Sequence, residues 1–151
     1  MFLFAYGSNM SEVQMSQRLS RHAKQVAVAK AEGYKFGYYG HSQNWQKCGS
    51  ADIVPCEDGS CSVWGVVYEV DQSDLEKLDE FEHVTSGRYK RAEIKVKLND
   101  DRTIDAVTYV LKRDELPERA NEPLSLYRSL CVESARIAGL PGDYIRRSIE
   151  S

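Results

Sequence analysis

The sequence predicts an α+β domain whose sheet is mainly antiparallel or mixed and strongly curved. Three observations carry that expectation. Strand-forming segments dominate the middle of the chain, and helical segments with their own start signals lie at intervals among them. No repeat, low-complexity run or Pro/Gly/Ser linker divides residues 1–151, so they are expected to form one domain.

The elements follow in order. "MFLFAY" is a short apolar run broken at Gly7, which predicts a buried strand. Ser11 and Gln14 make a capping-box pair ahead of a short amphipathic helix through Val13, Met15 and Leu19. Gly7-Ser8-Asn9 therefore falls in a strand-to-helix turn. "KQVAVAKAEGYKFGYYG" predicts one or two strands around Gly33, followed by a polar loop of about ten residues at "HSQNWQKCGS", a strand at "ADIVP" and a turn at "CEDGSC". "SVWGVVYEV" is the strongest strand signal, rich in β-branched and aromatic residues, and is expected at the centre of the sheet. Ser73 and Glu76 predict a cap for the helix "SDLEKLDEFE". "YKRAEIKVKL" and "TIDAVTYVL", separated by "NDD", predict an antiparallel hairpin. From about Pro123 to Ala138 the periodicity of Leu126, Leu130 and Ile137 predicts a helix, stopped by Gly139 and Pro141, with a last short helix at Asp143.

Composition narrows the function classes. A chain of 151 residues with 42% hydrophobic and 28% charged residues can bury a core, and a net charge of −3 gives no electrostatic footprint for nucleic acid. No apolar run reaches the roughly 18 residues needed to cross a bilayer, and no secretory leader is visible, so a cytoplasmic protein with a small-molecule partner is expected. The four cysteines complete no zinc pattern. In a reducing compartment they are expected as plain thiols, Cys56 and Cys61 included, with no metal and no disulfide. Oligomeric state leaves no mark in the sequence.

Two places could carry chemistry. Leu75, Leu78 and Glu82 stand at i, i+3 and i+7, so a helix reaching Glu82 would place that carboxylate on its core-facing stripe. Desolvation there disfavours the charged form and lifts the pKa towards the range of a general acid/base. If the helix ends at Phe81 instead, Glu82 points to solvent or pairs with Arg88 or Lys90. The Gly7-Ser8-Asn9 turn offers close backbone approach and outward-pointing amides, suited to a carboxylate or a polarised carbonyl; equally, Asn9 or Ser11 could simply cap the helix. His22 and His41 sit in polar stretches and read as solvated. His83 follows Glu82 but diverges from it by about 100 degrees on a helix, and it receives no catalytic role.

"FAYGSNM", "VWGVVYEV", "LDEFEHVTSGRY", "VTYVL" and "SLYRSLCVESARIAGLPGDYI" occur in an order that resembles the gamma-glutamylcyclotransferase family across nearly the whole chain. The resemblance implies a small β-barrel-like core with flanking helices and a cavity for a γ-glutamyl group. Tyr6, Gly7, Ser8 and Asn9 match the family's substrate-binding loop, Glu82 its catalytic glutamate, and Tyr109 a tyrosine that lines the pocket. One departure is visible, since the family glutamate is often followed by glycine and here His83 takes that place. The implied reaction is intramolecular aminolysis to 5-oxoproline and a free amine, without metal or other cofactor, with Glu82 as both base and acid. Two other classes stay open: a binding domain that has lost turnover, and a γ-glutamyl amide hydrolase or transferase. "GHSQNWQKCGS", with Trp45, and "RDELPERANEP" are expected to shape the pocket rim, and neither spells out which amine leaves.

Overall fold

The computed structural model describes residues 1–42, 48–113 and 120–151, with the backbone alone at 41, 42 and 48. Strands β1 (Phe2–Ala5), β2 (Ala27–Glu32), β5 (Ser62–Glu69), β6 (Tyr89–Leu98) and β7 (Thr103–Leu111) close into a barrel in the order β1-β5-β2-β6-β7. The remaining strands, β3 (Tyr34–Ser42) and β4 (Cys48–Pro55), form a separate antiparallel ribbon. Helices α1 (Glu12–Leu19), α2 (Gln72–Phe81), α3 (Ser125–Ala138) and α4 (Gly142–Tyr144, running into a π turn at Ile145–Ile149), with a 3-10 turn at Ser8–Met10, complete the described elements.

The curved sheet expected from the sequence is a closed barrel, so it has no central strand, and β5, expected at the sheet's centre, is one of five staves paired on both sides. It pairs antiparallel with β1 on one side and β2 on the other, and Val63, Val66, Val67 and Tyr68 are all buried. The "NDD" hairpin forms between β6 and β7 over nine residue pairs. Closure comes from one parallel pair, Leu3 opposite Val107. Two side-chain bonds reinforce that seam: the Thr108 hydroxyl donates to the carbonyl of Phe4 at 2.8 Å, and the Tyr6 hydroxyl donates to the carbonyl of Tyr109.

The polar loop is shorter than expected, because β3 runs to Ser42 and β4 begins at Cys48. The rest of it, Trp45 included, and residues 114–119 of the second rim segment lie outside the described residues. The ribbon leans on the barrel through Asp52, which is fully buried. Its carboxylate accepts from the Leu111 amide at 3.1 Å and pairs with the Arg113 guanidinium.

Four local expectations are corrected. The β4–β5 reversal brings the Cα atoms of Cys56 and Cys61 to 6.0 Å, a bonding separation, and the two are joined in a disulfide rather than left as thiols. Helix α2 begins two residues early: Asp71 accepts from the Asp74 amide at 2.8 Å, and Asp74 accepts from the Asp71 amide at 3.0 Å. Arg21 also pairs with Asp74, which strengthens this start over one at Ser73 and Glu76. On α1, Val13 is exposed, and only half of the expected capping box forms: Ser11 accepts from the Gln14 amide, while the Gln14 side chain turns elsewhere.

The fourth correction concerns which face of α3 is buried. Leu126 and Ile137 are 71% and 77% exposed, whereas Tyr127, Cys131, Val132 and Ala135 are buried. Small side chains at 131, 134 and 135 let this helix approach closely, and the Tyr127 hydroxyl accepts from the Ala51 amide at 3.0 Å. A polar bond beneath the helix thus selects the buried face, and leucine spacing does not report it.

Candidate active site

The end of β1 and the end of α2 meet at a cavity of about 100 Å³. A space of that size lies below the few hundred Å³ typical of drug-sized pockets and admits only a small group. All six residues expected at a site, Tyr6, Gly7, Ser8, Asn9, Glu82 and Tyr109, line it. So do Arg18, Ser50, Ala51 and Arg88, which the sequence did not single out for a site, and His83, which was given no catalytic role.

After β1 the chain makes one 3-10 turn, Ser8–Met10, closed by the Met10 amide on the Gly7 carbonyl at 3.0 Å and the Ser11 amide on the Ser8 carbonyl at 3.0 Å. Ser11 then caps α1. Asn9 is therefore not the cap, and its side chain is free to face the cavity. The amides of Ser8 and Asn9 precede the first closed turn, where backbone N–H groups have no partner within the helix. Gly7 has a packing reason: a Cβ there would stand 2.8 Å from the Cβ of Ala51. The glycine lets β4 close against the turn and bring Ser50 and Ala51 to the cavity.

Helix α2 ends at Phe81, yet Glu82 does not point to solvent. Its side chain is only 15% exposed. The Asn9 side-chain amide donates to Glu82 Oε1 at 3.1 Å, and Arg18 lies 3.5 Å from the same oxygen. Arg88 instead donates to Ser50 Oγ at 3.1 Å. Burial pushes the Glu82 carboxyl above the ordinary glutamate range, against the opposing pull of Arg18, the Asn9 hydrogen bond, Arg88 and His83. The outcome is a desolvated but partnered carboxyl, able to hold a proton and to release it.

Tyr6 and Tyr109 contribute walls rather than free hydroxyls. The Tyr6 hydroxyl is spent on the barrel seam, and the Tyr109 hydroxyl donates to Asp79 at 2.7 Å and to the Leu75 carbonyl at 3.2 Å. Asp79 is in turn held by Arg91 through two hydrogen bonds, at 2.8 and 2.6 Å. Of the histidines, His22 is exposed, and the His41 side chain lies outside the described set. A Cys56, Asp58, Cys61 cluster is the one group of metal-ligating side chains among the described residues, and its two sulfurs are bonded to each other.

His83, the departure noted above, stands where the backbone favours glycine. Its φ is +54°, in the left-handed region where a side chain crowds the backbone and glycine does not. His83→Gly is expected to raise stability by up to about 1 kcal/mol, a Tm gain of roughly 2–4 °C, readable by thermal unfolding.

Arg18 and Gln14 were the residues most accessible to sequence reasoning yet missed. They stand four apart on α1, hence on one face, and both reach back to Asn9: Arg18 donates to Asn9 Oδ1 at 3.0 Å and Gln14 Nε2 donates to it at 3.0 Å. The i, i+4 pair of long polar donors next to a Gly-Ser-Asn turn was the available signal.

Comparison with known proteins gives a consistent result. A family model described as the AIG2-like family matches residues 62–147. The gamma-glutamylcyclotransferase of Homo sapiens is 31% identical over 145 residues, covering 93% of this chain and 73% of the relative. That of Mus musculus is 30% identical over 143 residues, with the same two coverages, 93% and 73%. Among solved structures, one described as a gamma-glutamyl cyclotransferase superposes with a TM-score of 0.88 at 28% identity, covering all of this chain and 86% of the other. A yeast gamma-glutamyl cyclotransferase described as specific to glutathione shares the fold at 12% identity and a TM-score of 0.67, covering 99% of this chain and 94% of that one.

Proposed function

Since the chain belongs to the gamma-glutamylcyclotransferase family and is an enzyme of that class, we propose that it closes a γ-glutamyl amine or dipeptide into 5-oxoproline, with Glu82 transferring the protons. The observation that carries this reading is the placement of Glu82: a desolvated carboxyl of raised pKa, tied to the Ser8–Asn9 turn inside a small cavity of about 100 Å³.

The substrate's α-amine must be neutral to attack. Glu82, as the carboxylate, takes a proton from the α-ammonium; the α-nitrogen then bonds to the γ-carbon, and the carbonyl becomes a tetrahedral oxyanion. As that intermediate collapses and the bond to the departing nitrogen breaks, Glu82 returns its proton to that nitrogen; the carboxylate then takes the second proton from the new ring nitrogen and passes it to the released amine, which leaves as an ammonium. Two protons thus pass in turn from the attacking to the departing nitrogen through the same carboxyl, and the enzyme ends as it began. The amides of Ser8 and Asn9, with the cationic Arg18 and Arg88 on the cavity wall, supply positive potential for the oxyanion or the glutamyl carboxylate. Holding the glutamyl chain folded in a small cavity supplies the proximity term.

A panel of γ-glutamyl amides carrying amino-acid and simple-amine leaving groups, followed by mass spectrometry, tests the proposal. 5-Oxoproline is the expected product; glutamate would indicate attack by water, and binding without turnover would indicate a sensing domain. The carboxylate form is needed first, so kcat/KM is expected to rise from acid pH, with its acid limb above the ordinary glutamate range of about 4.3.

A further inference from the structure

Hydrogen-bond direction around the Ser8–Asn9 turn is determined by one residue that can only donate. The Arg18 guanidinium has no acceptor, so the Asn9 atom facing it at 3.0 Å must be the carbonyl oxygen. That assignment leaves the Asn9 –NH2 group towards Glu82, at 3.1 Å. It also settles Gln14: the atom 3.0 Å from Asn9 Oδ1 must be its –NH2 nitrogen, and the second hydrogen of that group reaches Ser8 Oγ at 2.9 Å. Ser8 therefore accepts from Gln14. Among the described residues its own hydroxyl proton has no acceptor, while Ser8 lines the cavity and Gln14 does not.

We infer that Gln14 is a positioning residue that turns the Ser8 hydroxyl into a hydrogen-bond donor directed into the cavity, towards the oxygen that becomes negative as the γ-carbonyl is attacked. This inference rests on the cyclisation reading above. A hydroxyl can rotate, and in water it would divide its time between donating and accepting. Occupying its lone pair with an amide donor removes that choice, so the donor is oriented before the reaction begins, which is where electrostatic stabilisation of a transition state is most effective. Gln14 acts only through Ser8 and Asn9 and touches no substrate.

Gln14→Glu keeps the shape and reverses the polarity, because a carboxylate at 14 accepts from the Ser8 hydroxyl and pulls its proton away from the cavity. Gln14→Met keeps the approximate shape and leaves the hydroxyl free to rotate. With a γ-glutamyl dipeptide as substrate, Ser8→Ala is expected to lower kcat about a hundredfold, as loss of one oxyanion donor does, with KM changed less than threefold. Gln14→Glu is expected to match it, and Gln14→Met to cost about tenfold or less, with all three melting within a few degrees of the wild type. The double variant Ser8→Ala, Gln14→Glu should lose no more than about threefold beyond Ser8→Ala, since both changes remove the same donor. Multiplicative losses in the double variant, or equal losses for Gln14→Glu and Gln14→Met, would overturn the inference while leaving the cyclisation reading intact. A wild type that releases no 5-oxoproline overturns both.

Discussion

Glu82→Gln is expected to slow 5-oxoproline release by about 10²–10⁴-fold while leaving the fold in place, because the amide can accept from Asn9 but cannot carry a proton between two nitrogens. The same variant should be more stable than the wild type at neutral pH. Burial raises the Glu82 pKa in the folded state, so between its unfolded and folded values the native protein binds the extra proton. Stability from this group is therefore full below the unfolded carboxyl pKa of about 4.3 and falls as pH rises through the folded value. Glutamine mimics the neutral carboxyl at every pH. Thermal unfolding of both proteins should then show curves that coincide near pH 4 and separate above it, the variant melting higher. A wild type that gains on the variant with rising pH would mean that Arg18 and Asn9 outweigh desolvation.

Gly65→Ala is expected to be the most damaging single methyl group in the barrel. Gly65 lies in β5 opposite Ala29, and a Cβ there would run into the Ala5 carbonyl oxygen and sit 2.8 Å from two carbons of the Phe4 ring. The oxygen belongs to the backbone of the neighbouring strand and cannot swing aside, so the cost should lie at the upper end for overpacking, about 3 kcal/mol. For a domain of this size that is a Tm loss of roughly 10 °C by circular dichroism. Val66 and Val67 beside it fill the core; Gly65 keeps open the space that the Phe4 ring enters.

Much of the fold was legible because its elements announce themselves locally. β-branched runs gave the strands, "NDD" gave the hairpin, and Ser11 capped its helix. What the sequence concealed was set by distant partners. The α3 face is chosen by Tyr127 meeting Ala51, and the start of α2 by Arg21 meeting Asp74. Cys56 and Cys61 were close enough in sequence to suggest a bridge, but compartment arguments weighed against it, and the β4–β5 reversal decides otherwise. At the site, spacing alone suggested a buried Glu82 only if α2 reached it. In fact the helix stops at Phe81, and Asn9, 73 residues earlier in the chain, holds the carboxyl in place. Gln14 was visible as half of a capping box, and its second use depends on where the chain folds back.

The barrel seam has a thermodynamic consequence for the cavity beside it. β1 is laddered to β5 along its length but meets β7 at one residue pair, with the Thr108 and Tyr6 hydroxyls acting as rivets. A stave held along one edge and pinned at the other is where a closed sheet opens first, at a free energy below that of global unfolding. Opening there would carry the Ser8–Asn9 turn away from Glu82 while β5, β2 and β6 stayed paired. A ligand touching both banks therefore acts as a clasp on the barrel: at a hundred times its Kd it adds about 2.7 kcal/mol against that opening. Binding at this cavity and closure of the N-terminal stave are thus thermodynamically linked.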